Sequence, residues 1–550
     1  MNNKKKRNSI LVQGSILALA SIISRIIGLI YRGPLTAIIG KTGNDYYGTA
    51  YSIYNIVLIF SSYSIPLAVS KIISGKIALK EYENAKRAFL GSFVFSIISG
   101  FLGMSVLFFG ADMFSASLRT PLASYAVKIL APVILIVALS GALRGFFQGM
   151  NTMVPSALSQ IIEQIVNAIV SVVSAYFLFS YGLKLGKANN IKHLKEAYGA
   201  AGGTLGTAIG ALFSLIFLLF IFFIFITHFN KRIIKEKNHS KKESYIKIFK
   251  VLILTIIPVL LSTAIYNGFD IVEAFIFKNM AFLKGYNRDK VSIWWGVYTG
   301  EVNVLRNIPT SIASALAASS VPAIAASFKK RDYKEVDRQI LSVTRFVSII
   351  SFPCTIGLIV LAGPILRILF GDTDVESIRM LIVGIISIPF FCISTLSNGL
   401  LQGIDKMIEP IKNAIIAIIG HAIFLVVVMQ FTNLHIYTVL ISLLFYGLLI
   451  SLLNRLSLKK YRNISFDLIK TYIMPLIASL IMGVFVYFTY KGIYMIIHSS
   501  LIAMTISIFV GMFVYFVTII KIHVVDEEEL RGFPKGHKLI GLARKLHLLK

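Results

Sequence analysis

Apolar blocks of roughly 20 residues recur along this chain, separated by short connectors in which Lys and Arg collect. Fourteen such blocks can be traced. The first seven centre near Ser21, Ile59, Gly100, Val133, Val170, Ser214 and Ala264. The second seven centre near Ile312, Thr355, Ile385, Phe424, Ser442, Ser479 and Ile508. A helix rising about 1.5 Å per residue crosses the hydrocarbon core in about that length. The pattern therefore predicts an all-α polytopic membrane protein of about fourteen transmembrane helices. The opening K-K-K-R (Lys4 to Arg7) followed by an apolar run has the outline of a signal peptide. The apolar stretch continues past Ala20 and embeds Arg25, so it is read as the first spanning helix.

An even number of spans puts both termini on one side, and the basic residues choose the side. Lys4 to Arg7, Lys71 to Arg87, Arg144, Lys231 to Lys242, Lys329 to Arg338, Arg455 to Arg462 and the tail with Arg531 to Lys545 fall on the same face of the membrane. The alternate connectors are poorer, apart from Lys184, Lys187, Lys192 and Lys195, and the one holding Asp372, Asp374 and Glu376 is acidic. Both termini are assigned to the cytoplasm. The hydrophilic stretches, of which His228 to Lys247 and the last thirty or so residues are the longest, are too short to bury a core of their own.

Composition sharpens the picture. Among 550 residues, 55 Lys+Arg stand against 25 Asp+Glu, a formal charge of +30, yet only 15% of residues are charged and 56% are hydrophobic. Soluble domains are about a quarter charged, so a cytosolic enzyme, a disordered chain and a disulfide-stapled secreted domain are excluded. The basic residues are scattered between apolar blocks, which argues against nucleic acid as a partner. Cys354 and Cys392 sit inside apolar stretches without ligand-like neighbours and read as packing residues.

The chain also repeats itself. Leu143 to Pro155, L-R-G-F-F-Q-G-M-N-T-M-V-P, returns as N-G-L-L-Q-G-I-D-K-M-I-E-P at Asn398 to Pro410. Ile65 to Lys71 returns at Val321 to Ser327. The spacing covers six spans, an even number, so the two copies have parallel topology about an axis along the membrane normal. The expected organisation is an N-terminal lobe (1–228, spans one to six), a basic cytoplasmic loop (229–246), a C-terminal lobe (247–460, spans seven to twelve), two extra helices (461–525) and a basic tail (526–550). Two such lobes imply a central cavity and alternating access by lobe rocking, and hence transport. Gly199, Gly202, Gly203, Gly206 and Gly210 form a ladder that lets a neighbouring helix approach closely.

Ionisable groups within apolar spans cost on the order of 2.5–3.5 kcal/mol, so each needs a cavity or a partner. Arg25 and Arg32 lie seven residues apart on one face of the first span, and guanidinium forks suit phosphate oxygens. Arg32 could instead snorkel to the interface. Gln160, Glu163, Gln164 and Asn167 make a polar stripe on the fifth span, lining a cavity or bonding a neighbouring helix. Asn267, Asp270 and Glu273 fall on one face of the seventh, an oxygen-rich group that could bind Na⁺, hold a proton, or pair with a basic side chain such as Arg345. Arg306 on the eighth span is a candidate second-lobe counterpart of Arg25. No cofactor is expected beyond this Na⁺ or proton coupling.

These residues resemble a known family. S-R-I-I-G-L-I-Y-R (Ser24 to Arg32), L-R-G-F-F-Q-G-M (Leu143 to Met150), S-Q-I-I-E-Q-I-V (Ser159 to Val166) and V-P-A-I-A (Val321 to Ala325) look like the polysaccharide-transport branch of the multidrug/oligosaccharidyl-lipid/polysaccharide exporter superfamily, in particular lipid II flippases of the MurJ and SpoVB types. The resemblance covers nearly the whole chain. It implies a fourteen-helix fold that moves an undecaprenyl-diphosphate-linked peptidoglycan precursor outward, with cavity arginines on the diphosphate and dependence on membrane potential or Na⁺. Under it, Arg25 and Arg32 match the arginine pair of the first helix and Asp45 resembles the acidic residue opening the second. The second helix lacks an arginine that some members carry, and Arg306 lies slightly beyond the position expected on the eighth. The implied partners are the lipid-linked oligosaccharide, membrane lipids and, as candidates, cell-wall synthesis proteins. Competing readings are a cation-coupled multidrug exporter, a non-transporting scaffold for cell-wall assembly, and a membrane glycosyltransferase, for which no paired-carboxylate or metal signature is found.

Overall fold

The computed structural model describes residues 2–234, 242–462, 464, 466–525, 527, 540, 541 and 544, and every regular element among them is helical. Twelve helical stretches among the described residues are long and apolar enough to cross a membrane. One of them, Leu19–Ala78, is 60 residues long and changes direction at Gly40, where φ is +67°. A positive φ is nearly free for glycine and strained for other residues, so the chain turns there. Counting that stretch as two crossings, and the apolar helices at 245–267 and 269–283 as another, recovers the fourteen blocks of the sequence.

Packing divides the chain into two units, Met1–Gly300 and Glu301–Lys550. The first contains α1 (Asn2–Leu58), α2 (Ile65–Ala78), α3 (Tyr82–Ser117), α4 (Ser124–Gly149), α5 (Val154–Asn189), α6 (Leu194–Ile234), α7 (Tyr245–Asn267), α8 (Phe269–Leu283) and α9 (Arg288–Val297). The second contains α10 (Asn303–Lys329), α11 (Tyr333–Val360), α12 (Ala362–Phe370), α13 (Val375–Ile385), α14 (Ile388–Gly403), α15 (Ile408–Phe431), α16 (Tyr437–Arg462), α17 (Met474–Ile497) and α18 (Ser500–Lys521). The repeat places a lobe boundary in the 229–246 connector, whereas packing carries α7 to α9 with the first unit. Residues 235–241 of that connector, and most of the tail after 525, lie outside the described residues.

The internal repeat is visible in the backbone of each unit. Asn151 ends the turn after α4 with φ 59°, and Asp405 ends the turn after α14 with φ 61°, at the offset read from the sequence. In the first unit α4 presses on α2: a Cβ on Gly145 would lie 2.7 Å from the carbonyl oxygen of Pro66. In the second, α14 presses on α10: a Cβ on Gly399 would lie 2.9 Å from that of Ala317. The same glycine-faced helix thus meets the same proline-bearing partner twice.

The glycine ladder of α6 does what its spacing suggests. A Cβ on Gly206 would sit 2.1 Å from Ser171 Oγ and 2.5 Å from the Ser171 nitrogen, so α5 and α6 meet backbone to backbone. At the other end of α6, Phe229 joins Phe89, Phe146 and Phe147 in an apolar core, with tilted and edge-on ring contacts.

Candidate functional site

The turn at Gly40 sends the chain back as a helix, and within about one turn Asp45 arrives at the interior of the first unit. Its carboxylate faces Lys278 of α8, whose side chain is 2% exposed, at 2.5 Å. Lys278 Nζ also donates to Thr49 Oγ1 and Thr120 Oγ1, both at 2.7 Å. Asp45 Oδ1 accepts from Thr49 as well, and Oδ2 accepts from Ser292 of α9 at 2.6 Å. The ammonium has three acceptors and both carboxylate oxygens are engaged, which is what two charges withdrawn from water require. Gly296 brings α9 this close, since a Cβ there would lie 1.8 Å from the carbonyl oxygen of Lys41.

Arg32 lies with its guanidinium carbon 4.3 Å from the centroid of the Tyr47 ring, a cation–π contact, and its Nη1 is buried without a hydrogen-bond partner among the described residues. Around it, the Tyr31 and Tyr47 hydroxyls stand 3.5 Å apart, Asn167 Nδ2 donates to the Tyr31 oxygen at 3.4 Å, and Tyr51 bonds Thr207. Arg25, two turns earlier on α1, is exposed on the first unit and has no ion pair among the described residues. The α1 face beside it packs on the polar stripe of α5: Ser21 donates to Gln160 Oε1 and Ser24 to the Gln160 carbonyl, both at 3.4 Å. Gln164 lies opposite Gly28.

The stripe itself divides into different environments. Glu163 Oε2 accepts from Arg144 Nη2 at 2.7 Å, and the same guanidinium reaches Ser159 and Ser214. Asn167 is buried and bonds Ser171 and Thr207 besides Tyr31. Glu163 is therefore neutralised locally, whereas Gln160 and Gln164 adjoin the Arg25 helix.

On the seventh block a break at Gly268 interrupts the expected face. Asp270 is exposed, while Glu273 is buried and accepts from the Tyr298 hydroxyl at 2.5 Å. The side chain of Asn267 lies outside the described residues. Among the described residues, no three His, Cys, Asp or Glu side chains are grouped to hold a metal ion. In the second unit, Arg306 is buried with its guanidinium carbon 4.7 Å from the Phe391 centroid and its Nη1 without a hydrogen-bond partner among the described residues. Arg32 and Arg306, each within its own unit, are thus held alike: over an aromatic ring, with a donor to spare.

Two residues escaped the sequence reading. Lys278 sits in an apolar block where attention fell on the carboxylates, although a lysine at such depth demands a partner. Arg144 looked like part of a basic connector and instead lies inside α4, tied to α5. His421 is buried and its Nε2 lies 3.0 Å from Ser442 Oγ. Lys128 pairs with Asp112 at 2.8 Å on the surface.

The helical architecture is that of a multi-pass membrane protein, and the family models that match it place the chain among the transporters of the superfamily to which multidrug and lipid-linked-sugar exporters belong. Within it, the Polysaccharide biosynthesis protein family matches residues 10–328, more than half of the chain, and the chain belongs to that family. The MatE family matches residues 302–428. The chain is 26% identical over 510 residues to the lipid II flippase MurJ of Bacillus subtilis (strain 168), covering 87% of this chain and 88% of the relative. It is 24% identical over 478 residues to stage V sporulation protein B of the same organism, covering 85% and 87%. Among solved structures, an inward-facing multidrug resistance MATE family transporter superposes with a TM-score of 0.65 at 14% identity, over 82% of this chain and 98% of that one. The lipid II flippase MurJ in an inward closed conformation gives 0.62 at 17%, over 91% and 97%. Two of these matches are named lipid II flippase and one is named a transporter.

Proposed function

We propose that this protein is a flippase that carries an undecaprenyl-diphosphate-linked peptidoglycan precursor, lipid II or a related lipid-linked oligosaccharide, across the bacterial cytoplasmic membrane by alternating access of its two units. Both termini face the cytoplasm. Arg25 and Arg32 draw in the diphosphate, Gln160 and Gln164 offer hydrogen bonds to the headgroup, and the polyprenyl tail stays in lipid. Asp270 and Glu273 are the candidates for coupling to Na⁺ or protons.

The observation that carries this reading is Arg32. Its guanidinium is kept within an apolar span with a buried Nη1 that no group among the described residues satisfies. A buried unsatisfied donor is costly, so one kept in place points to a visiting acceptor. Permanent cations favour an anionic cargo over the cationic drugs that a multidrug exporter of the same fold would carry. The relatedness to a lipid II flippase supports the choice of anion.

The test is translocation of lipid II in proteoliposomes. Each charge-assisted hydrogen bond to the diphosphate is worth about 1.5–3 kcal/mol, so Arg25→Ala and Arg32→Ala are expected to slow transport roughly ten- to hundredfold. Wild-type rates in both variants would refute the diphosphate role.

A further inference from the structure

At one end of the first unit the chain turns at Gly40, between α3 and α4, between α5 and α6, and between α8 and α9. These four turns surround a cavity of about 220 Å³ whose lining includes Arg119, Thr120, Lys192, His193 and Arg288, with Lys278 and Asp45 at its inner side. Most of its charges are matched. Lys278 is paired with Asp45 at 2.5 Å and Lys192 with Asp289 at 2.6 Å, and His193 Nε2 lies 3.1 Å from the same Asp289. Two are not: neither Arg119 nor Arg288 has a carboxylate at ion-pair distance among the described residues.

Arg119 is also held in place. Its Nε donates to Asn279 Oδ1 at 2.8 Å and its guanidinium lies over the Phe282 ring, 5.2 Å from the centroid. Asn279 is fixed in turn by donating to the carbonyls of Ser117 and Phe275. This arrangement occupies Nε and leaves the terminal nitrogens of Arg119 without a hydrogen bond among the described residues. Arg288 opens α9, where the helix end adds partial positive charge. Two guanidiniums lining one cavity repel unless an anion joins them. A tetrahedral, multiply charged oxyanion answers both forks better than a carboxylate does.

We propose that this cavity binds a phosphate or diphosphate group between Arg119 and Arg288, with the Thr120 hydroxyl and Lys192 beside it. The site is separate from Arg25 and Arg32, and with both termini cytoplasmic it opens on the outer face of the membrane. It stands whether or not the cargo assigned above is right.

The protein carries its own reporter. Its two tryptophans, Trp294 and Trp295, are buried in α9 next to the cavity, the Trp295 ring 5.4 Å from Lys278 Nζ. Pyrophosphate titrated at constant ionic strength into the full chain in phosphatidylcholine nanodiscs should change tryptophan emission saturably. In Arg119→Gln/Arg288→Gln the midpoint should weaken by about tenfold or more, while Lys412→Gln, at an exposed position of the second unit, should titrate like wild type. The Arg119→Lys/Arg288→Lys variant keeps both charges without the forks and should weaken binding less; it serves should the neutral pair fail to fold. The absence of a saturable change, or wild-type titration by both double variants, overturns the site.

Three further arms separate the sources of the phosphate. Phosphatidylglycerol in the nanodisc that pre-empts pyrophosphate identifies a membrane headgroup. Competition by a polyprenyl diphosphate identifies the lipid carrier. Response to soluble pyrophosphate alone identifies a free anion. Each of these supports the site, and loss of flipping in Arg25→Ala would leave it untouched.

Discussion

The most direct energetic test lies in the Asp45–Lys278 pair. Both side chains are almost completely buried, at 3% and 2% exposure, and every polar atom of the pair has a partner within the first unit. Lys278→Met leaves the Asp45 carboxylate with only hydroxyl donors, and Asp45→Leu leaves an ammonium with only hydroxyl acceptors. Removing one partner of a buried pair costs about 3–5 kcal/mol, whereas replacing both by apolar groups of similar volume is often neutral. In the double variant the orphaned hydroxyls of Thr49 and Ser292 can turn back to the carbonyl four residues earlier on their own helices. The double variant should therefore be more stable than either single one, with a coupling of about 3 kcal/mol or more. Equilibrium denaturation in detergent, followed by tryptophan emission, reads this cycle. If the two single effects simply add, the pair is not the coupled unit described here.

Other perturbations bear on the packing and on the end of the first unit where α7 begins. Gly206→Ala should destabilise the α5–α6 contact by about 1–3 kcal/mol or more, because its Cβ meets the backbone of Ser171. Gly492→Ala, where a Cβ meets nothing within 4 Å, should be neutral or slightly stabilising in the same assay. Glu243, just before α7, accepts from Lys76 at 2.8 Å, and that bond holds its carboxyl below the ordinary glutamate range. A lowered folded-state value means that the stabilisation is present above the unfolded glutamate's value and is lost as pH falls through the folded one. The melting-temperature advantage of wild type over Glu243→Gln should accordingly be full near neutrality and vanish on acidification; an advantage independent of pH would contradict the assignment. Replacing Arg144 by Met should unfold or loosen the α4–α5 contact through the stranded Glu163, and Arg144→Met/Glu163→Leu should recover part of that loss in the same denaturation assay.

The number of crossings, the two-fold repeat and the close α5–α6 contact were all legible in the chain, because each depends on local composition. Hydrocarbon thickness sets the length of an apolar block, and a glycine every fourth residue exposes backbone on one face whatever lies opposite. The break at Gly40 was not legible: only the backbone angle there shows where the long helical stretch reverses. The polar stripe on α5 was foreseen as a unit, yet its members part company. Asn167 joins the tyrosines around Arg32, whereas Glu163 is held by Arg144 from a helix whose arginine had been counted as a connector residue. The seventh block divides in the same way, Glu273 inward to Tyr298 and Asp270 outward.

Left to itself, then, the order of residues determines that this chain lies in a membrane, how many times it crosses, and that two arginines share one face of its first helix. Those properties follow from the cost of apolar surface in water and of charge in oil, and both costs are paid residue by residue. Which charges are already neutralised is decided only by the fold. Asp45 meets Lys278 across 233 positions and Glu163 meets Arg144 across 19, while Arg32, Arg119 and Arg288 are left without a carboxylate among the described residues. Coulombic pairing acts over a few ångströms of space and carries no trace of separation along the chain.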